Sequence, residues 1–290
     1  MKFKLNNLLW IFFAAVFITS CSKDDVPEVY EVFEDPKTLI DQSFGGDEAQ
    51  KMDIYLPAGR SQGTTKVILL IHGGGWIGGD KKSLDNFVVK FQSKVKENYA
   101  MVNMNYRLAI IPTRYMLPTQ TDDIRAAMDY ISKNASTLGV KPQFVVLGVS
   151  AGGHLAMLYS YKYDTARRVK GVVNIVGPSN LDDSYYKNNL IFNFAMNYIT
   201  DPKNLPKNMT QSVFGSPVTW ITKNAPPTIS FYGSSDDLIP ATQHSALEQG
   251  LNKYKIPQAK HVYDGGHGIG DDNVDDLIAR TLSFLGEYVR

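Results

Sequence analysis

Cysteine is nearly missing from this 290-residue chain: Cys21 is the only one. A disulfide framework and a cysteine-based zinc cluster are thereby excluded. Charge of one sign is missing too, with 30 basic side chains against 29 acidic and a net charge of +1. No basic block and no interleaving of basic with aromatic residues occurs, so nucleic acid is not an expected partner. The longest leading apolar run, Leu8 to Ile18, has eleven residues, short of the about 20 that a helix needs to cross a bilayer. Internal repeats and low-complexity segments are absent. What is present is 43% hydrophobic content, enough to bury one large core without requiring a second domain.

The first residues read as a leader. Lys2 and Lys4 form a charged start ahead of Leu8 to Ile18, and such a segment belongs outside the fold. Removing it leaves 28 basic against 29 acidic side chains. It ends in Ile18-Thr19-Ser20-Cys21, which resembles a bacterial lipobox, with Cys21 acylated as the mature N-terminus; the alternative is an ordinary signal peptide that contains a cysteine. Ser22-Lys23-Asp24-Asp25 is similar to the acidic export signals of some surface lipoproteins. The expected division is a signal peptide over 1–20, a tether over 21–36 and one folded domain over 37–290. The expected location is across the inner membrane, lipid-anchored at the outer membrane or cell surface.

Apolar runs then alternate with helical patterns. A hairpin is predicted from Thr38–Ser43 and Lys51–Leu56, and further strands at 67–71, 100–104, 144–147, 169–176, 228–232 and 259–263. The spacing predicts helices over 82–97, 121–134, 241–254 and 272–288, the second with Ile124, Ala127, Met128 and Ile131 on one face. Strands alternating with helices imply a mostly parallel sheet covered on both faces. The stretch 178–217 is too long for an ordinary connection of about 2–6 residues and is expected to form a small cap over the site. A peripheral helix pair packed on the sheet is the alternative.

Gly148-Val149-Ser150-Ala151-Gly152 follows one of these strands and opens a helix, the context of a nucleophile elbow. A serine nucleophile needs a base within hydrogen-bond reach and a third group to orient that base. Five histidines are available. His72 fits a structural role beside its glycines. His154 points along the elbow helix, His244 lies inside a polar helix and His261 inside the last strand. His267, flanked by glycines past the end of the last strand, falls on the sheet edge where Ser150 sits. The acid precedes the histidine in this order, and Asp236 and Asp237 are both candidates. Backbone N–H groups in His72-Gly73-Gly74-Gly75-Trp76, together with that of Ala151, are placed to bind an oxyanion. The glycine run lacks the lysine of a phosphate loop and the spacing of a dinucleotide fingerprint. Asp271, Asp272, Asp275 and Asp276 lack calcium-loop spacing and read as a helix start. No metal and no organic cofactor is expected.

These motifs, with Asn105-Tyr106-Arg107-Leu108 between them, resemble the α/β-hydrolase superfamily over roughly residues 38–288. The narrower likeness is to hormone-sensitive-lipase-like esterases, kynurenine-formamidase-like enzymes and bacterial feruloyl/acetylxylan esterase (BD-FAE-like) domains. The resemblance implies an α/β-hydrolase fold with about eight strands, helices on both faces and a small cap insertion. It aligns Tyr232-Gly233-Ser234-Ser235-Asp236-Asp237-Leu238-Ile239-Pro240 with a family pattern that selects Asp236 as the acid; Tyr232 stands where the family often has histidine. It points to Gly74 and Gly75 as the oxyanion donors of the loop. The implied activity is serine ester hydrolysis through an acyl-enzyme, on acetyl or feruloyl esters of plant polysaccharide or other small esters. A same-fold exopeptidase, a formamidase and a non-catalytic binding module are the alternatives. The first of these usually carries an additional N-terminal domain, and the last typically loses the serine or histidine.

Overall fold

The computed structural model describes residues 29–95, 99–188, 192 and 196–289. Cys21 and the segment read as a leader, the first half of the expected tether (21–28) and much of the apolar patch at 190–196 lie outside the described residues.

Eight strands form one sheet: β2 (Lys37–Ser43), β3 (Lys51–Leu56), β5 (Lys66–Ile71), β6 (Tyr99–Met104), β7 (Phe144–Val149), β8 (Val169–Ile175), β9 (Thr228–Gly233) and β10 (Gln258–Tyr263). Their spatial order is β10-β9-β8-β7-β5-β6-β3-β2. The pairings from β6 through β10 are parallel, while β2 and β3 join antiparallel. This is the α/β-hydrolase fold, with the mostly parallel sheet and flanking helices that the sequence led us to expect.

The continuous apolar strands follow from burial on both faces. In β5, Val67, Leu69 and Ile71 enter the core on one side, whereas Ile68 and Leu70 enter the core on the other. The first face is covered by α2 (Thr119–Lys133), α4 (Ala151–Leu158) and α7 (Ala241–Lys253). The second is covered by α1 (Asp85–Lys94) and α8 (Val274–Tyr288), through residues such as Val88, Phe91, Leu277 and Ile278. Each fully buried side chain of this size contributes about 1.5–3 kcal/mol of transfer free energy. Every residue of α4 is buried, so the helix behind the serine is apolar on all sides except at His154, as suits a central helix.

The folded body reaches into the segment read as a tether. β1 (Val32–Phe33) pairs antiparallel with β4 (Arg60–Ser61). The Arg60 guanidinium lies 4.7 Å from the centre of the Phe33 ring and donates to the Leu138 carbonyl at 2.9 Å. Periodicity could not show a two-residue strand. At the other end, the helix expected from Asp272 begins with a 3-10 turn, Asp271–Asn273, before α8. Asp276 does not cap it by hydrogen bond; it accepts from Tyr263 Oη at 2.7 Å and Arg280 Nε at 2.6 Å. No helix among the described residues is long and apolar enough to cross a membrane.

Among the described residues of 178–217 the α-helices are short, α5 (Ser184–Lys187) and α6 (Gln211–Gly215), about as long as α3 (Ala135–Leu138) elsewhere in the chain. Its side chains Leu181, Tyr186, Met196, Ile199 and Phe214 pack into the first-face core.

Candidate active site

A tight turn explains the glycines around Ser150. Ser150 has φ 55° and ψ −119°, a conformation that costs a residue with a side chain energy and persists only where its surroundings enforce it. A Cβ on Gly148 would lie 2.1 Å from the Gly152 carbonyl oxygen, and one on Gly152 would lie 2.1 Å from that of Ile71. The strand, the elbow and the helix therefore meet only if both positions are glycine. The Ser150 N–H donates to the Ile175 carbonyl at 2.8 Å, which ties the elbow to β8.

His267 lies in the loop after β10, and its Nε2 is 2.9 Å from Ser150 Oγ. Its Nδ1 is 2.9 Å from Asp236 Oδ2 and 3.2 Å from Oδ1. Because a carboxylate only accepts, Nδ1 carries the proton in the neutral ring, and bare Nε2 accepts from the serine hydroxyl. The Asp236 side chain is wholly buried, and its Oδ1 also accepts the N–H groups of Leu238 and Ile239 at 2.8 and 2.9 Å. Asp237, the other sequence candidate, is exposed. The structure thus brings together Ser150, Asp236 and His267 from the C-terminal ends of β7, β9 and β10, the sheet edge where ligands bind in parallel α/β sheets.

Gly74, Gly75 and Ala151 border the same cavity as Ser150 and His267. Gly74 has φ 120°, and the Gly78 N–H donates to its carbonyl at 2.9 Å, closing the loop after β5. The cavity measures about 420 Å³, and its wall is completed by Trp76, Leu181, Tyr186, Phe192, Met196 and Leu238 among others. The lining is apolar apart from the serine, the histidine and the Tyr186 hydroxyl, which burial holds in its neutral form. Several of these residues come from 178–217, so this segment walls the pocket as well as packing on the core.

The remaining histidines serve elsewhere. His72 is buried and stacked on Tyr106 at 4.4 Å between ring centres, and burial lowers its pKa. His244 stacks on Tyr232 at 3.7 Å, and His261 on Phe231 at 5.5 Å. His154 bridges Trp76 and Gly215, contacts invisible in the sequence because both partners are distant along the chain. Gln243 was also missed. Fully buried, it accepts the N–H groups of Ser179 and Asn180 at 2.9 and 2.8 Å and donates to the Asn180 carbonyl and to Asp183, both at 3.0 Å. Tyr185 and Tyr186 donate their hydroxyls to the carbonyls of Asp237 and Leu238, fastening the inserted segment to the loop that carries Asp236.

Esterase LipC of Mycobacterium tuberculosis is 24% identical over 250 residues, covering 82% of this chain and 60% of its own. The probable carboxylic ester hydrolase LipM of the same organism is 26% identical over 224 residues, covering 70% and 50%. The chain thus spans about half to three fifths of the length of these curated relatives. A truncated carbohydrate esterase from gut microbiota shares the fold with a TM-score of 0.72 at 18% identity, over 87% of this chain and 96% of that one. Esterase B of Lactobacillus rhamnosis, solved with a tributyrin phosphonate, does so at 0.68 and 20% identity, over 89% and 87%. The family model described as BD-FAE matches residues 52–251, from within β3 to the last turn of α7. The chain belongs to the BD-FAE family of α/β-hydrolase esterases.

Proposed function

We propose that this chain hydrolyses carboxylic esters through an acyl-enzyme on Ser150. The observation that carries the reading is the unbroken run from Ser150 Oγ to His267 Nε2 and from His267 Nδ1 to Asp236, at 2.9 Å each, opening on an apolar cavity. His267 takes the serine proton as Oγ attacks the acyl carbon, and returns it to the leaving alkoxide. Asp236 holds the ring in the tautomer that leaves Nε2 bare and stabilises the imidazolium formed during attack. The N–H groups of Gly74, Gly75 and Ala151 receive the oxyanion, a service in which one lost donor raises the barrier by about 3 kcal/mol. Water then repeats the sequence on the acyl-enzyme, with His267 again as base.

Acetyl or feruloyl esters of plant polysaccharide, or other small esters, are the proposed substrates. Family membership supports this, as do fold neighbours described as a carbohydrate esterase and as an acetyl ester-xyloside bifunctional hydrolase. The uncharged cavity wall suits a neutral acyl group. We further propose a lipid anchor on Cys21, holding the domain at the outer membrane or cell surface; Ile18-Thr19-Ser20-Cys21 after the apolar run supports it.

The test is a panel of acetylated xylan, methyl ferulate, p-nitrophenyl acetate and an aminoacyl anilide, given to wild type and Ser150→Ala. Ester turnover abolished in a folded Ser150→Ala protein is the expected result. Undiminished turnover overturns the reading, and a preference for the anilide replaces it with an exopeptidase.

A further inference from the structure

We propose that His154 is a positioning residue, joining the oxyanion loop to the inserted segment through Trp76 and Gly215. The inference rests on the esterase reading, because it assigns His154 a part in holding the Gly74 and Gly75 donors.

The geometry starts from the elbow helix. His154 is 1% exposed, and its backbone N–H donates to the Ser150 carbonyl at 3.0 Å, so its position is fixed relative to the nucleophile. Trp76 Nε1 donates to His154 Nδ1 at 3.1 Å, and His154 Nε2 lies 2.7 Å from the Gly215 carbonyl. An indole N–H only donates and a carbonyl only accepts. His154 is therefore bare at Nδ1 and protonated at Nε2, a single neutral tautomer. Burial lowers its pKa to about 4, which keeps this form through the neutral range.

Trp76 needs such a partner. Its φ is 66°, a left-handed conformation that a bulky side chain holds only when its surroundings fix it. The main chain is gripped at its carbonyl, which accepts from Ala109 N at 2.9 Å and Gln120 Nε2 at 2.7 Å. The side chain is gripped by His154, with the two rings edge-on at 5.2 Å. Trp76 directly follows Gly75 and shares its cavity wall, so freedom at Trp76 passes straight to the proposed donors. Gly215 ends α6, so the same imidazole holds the inserted segment against the oxyanion side of the pocket.

Three variants separate this role from packing alone. Trp76→Phe deletes the indole N–H and keeps a ring; His154→Leu deletes both bonds. His154→Gln keeps an acceptor and a donor. In protein shown to be folded by circular dichroism, Trp76→Phe and His154→Leu should each lower kcat on p-nitrophenyl acetate by about tenfold or more. Phosphonylation of Ser150 by a p-nitrophenyl phosphonate should slow in proportion to kcat. The double variant should lose no more than the worse single one, and His154→Gln should recover most of the rate. Should His154→Leu not fold, Trp76→Phe carries the test. Wild-type kcat and phosphonylation in the folded variants, with an inactive Ser150→Ala, would remove the positioning role alone. Activity in Ser150→Ala would remove the esterase reading and this role together.

Discussion

Adjacent aspartates with opposite surroundings show how much one residue's environment decides. Asp236 is buried, accepts two backbone N–H groups and faces His267, whereas Asp237 is exposed. Asp236→Asn should therefore lower kcat by about 10⁴-fold, because an amide can favour the wrong imidazole tautomer. Asp237→Asn should leave kcat within about twofold; kcat measured on both variants checks the ranking, and the reverse order would move the acid by one position. His154 supplies a second residue-scale expectation, in stability. Its pKa is about 4 in the folded protein against 6.5 for a free histidine. Above the free value both states are neutral there and the group adds no pH dependence. As pH falls below it, the unfolded chain takes up the proton first, and stability declines by about 3 kcal/mol by the time the folded pKa is reached. Urea unfolding at about pH 7 and about pH 4.5 should show this loss in wild type and a smaller one in His154→Gln. An equal loss in both would assign the acid sensitivity to other groups.

Among the elements, the inserted segment between β8 and β9 depends on side chains from outside itself. Its stem is fixed by Gln243 on α7, and its first helix hangs by two tyrosine hydroxyls from the acid loop. Gln243→Leu keeps the volume but leaves the N–H groups of Ser179 and Asn180 buried without their acceptor. This should cost about 2–3 kcal/mol of stability and raise KM, since Leu181 and Tyr186 would lose their place in the pocket wall. Chemical denaturation and a kinetic titration check both, and an unchanged KM would mean that the stem does not govern the wall. A second buried polar group fixes the segment after the oxyanion loop. Lys81, 2% exposed, pairs with Asp53 of β3 at 2.5 Å and with Asp41 of β2 at 2.9 Å. Removing one partner of such a pair typically costs about 3–5 kcal/mol, because the other charge stays buried. Helix and strand positions were legible from periodicity, since long runs such as Val67–Ile71 have one physical solution. The bonds of Gln243, Lys81 and His154 were not, because each joins residues far apart in the chain.

On the scale of the whole molecule, the sheet gathers chemistry from across the sequence to one edge, and the proposed anchor on Cys21 would set where that chemistry acts. If Cys21 is acylated, labelled palmitate fed to the producing bacterium should enter the protein, and Cys21→Ser should abolish the labelling while leaving ester turnover per folded molecule unchanged. Label retained in Cys21→Ser would end the anchor reading. The sequence by itself determined the alternation of strands and helices, the elbow and its glycine spacing, and the candidacy of Ser150 and His267, because local patterns and stereochemistry suffice for these. It left Asp236 and Asp237 side by side, separable only by resemblance, since burial is not a local property. Only the tertiary structure decided which carboxylate meets the histidine, how residues 178–217 wall the cavity, and that His154 joins Trp76 to Gly215. Those are contacts between segments distant along the chain, and packing alone brings them within hydrogen-bond reach.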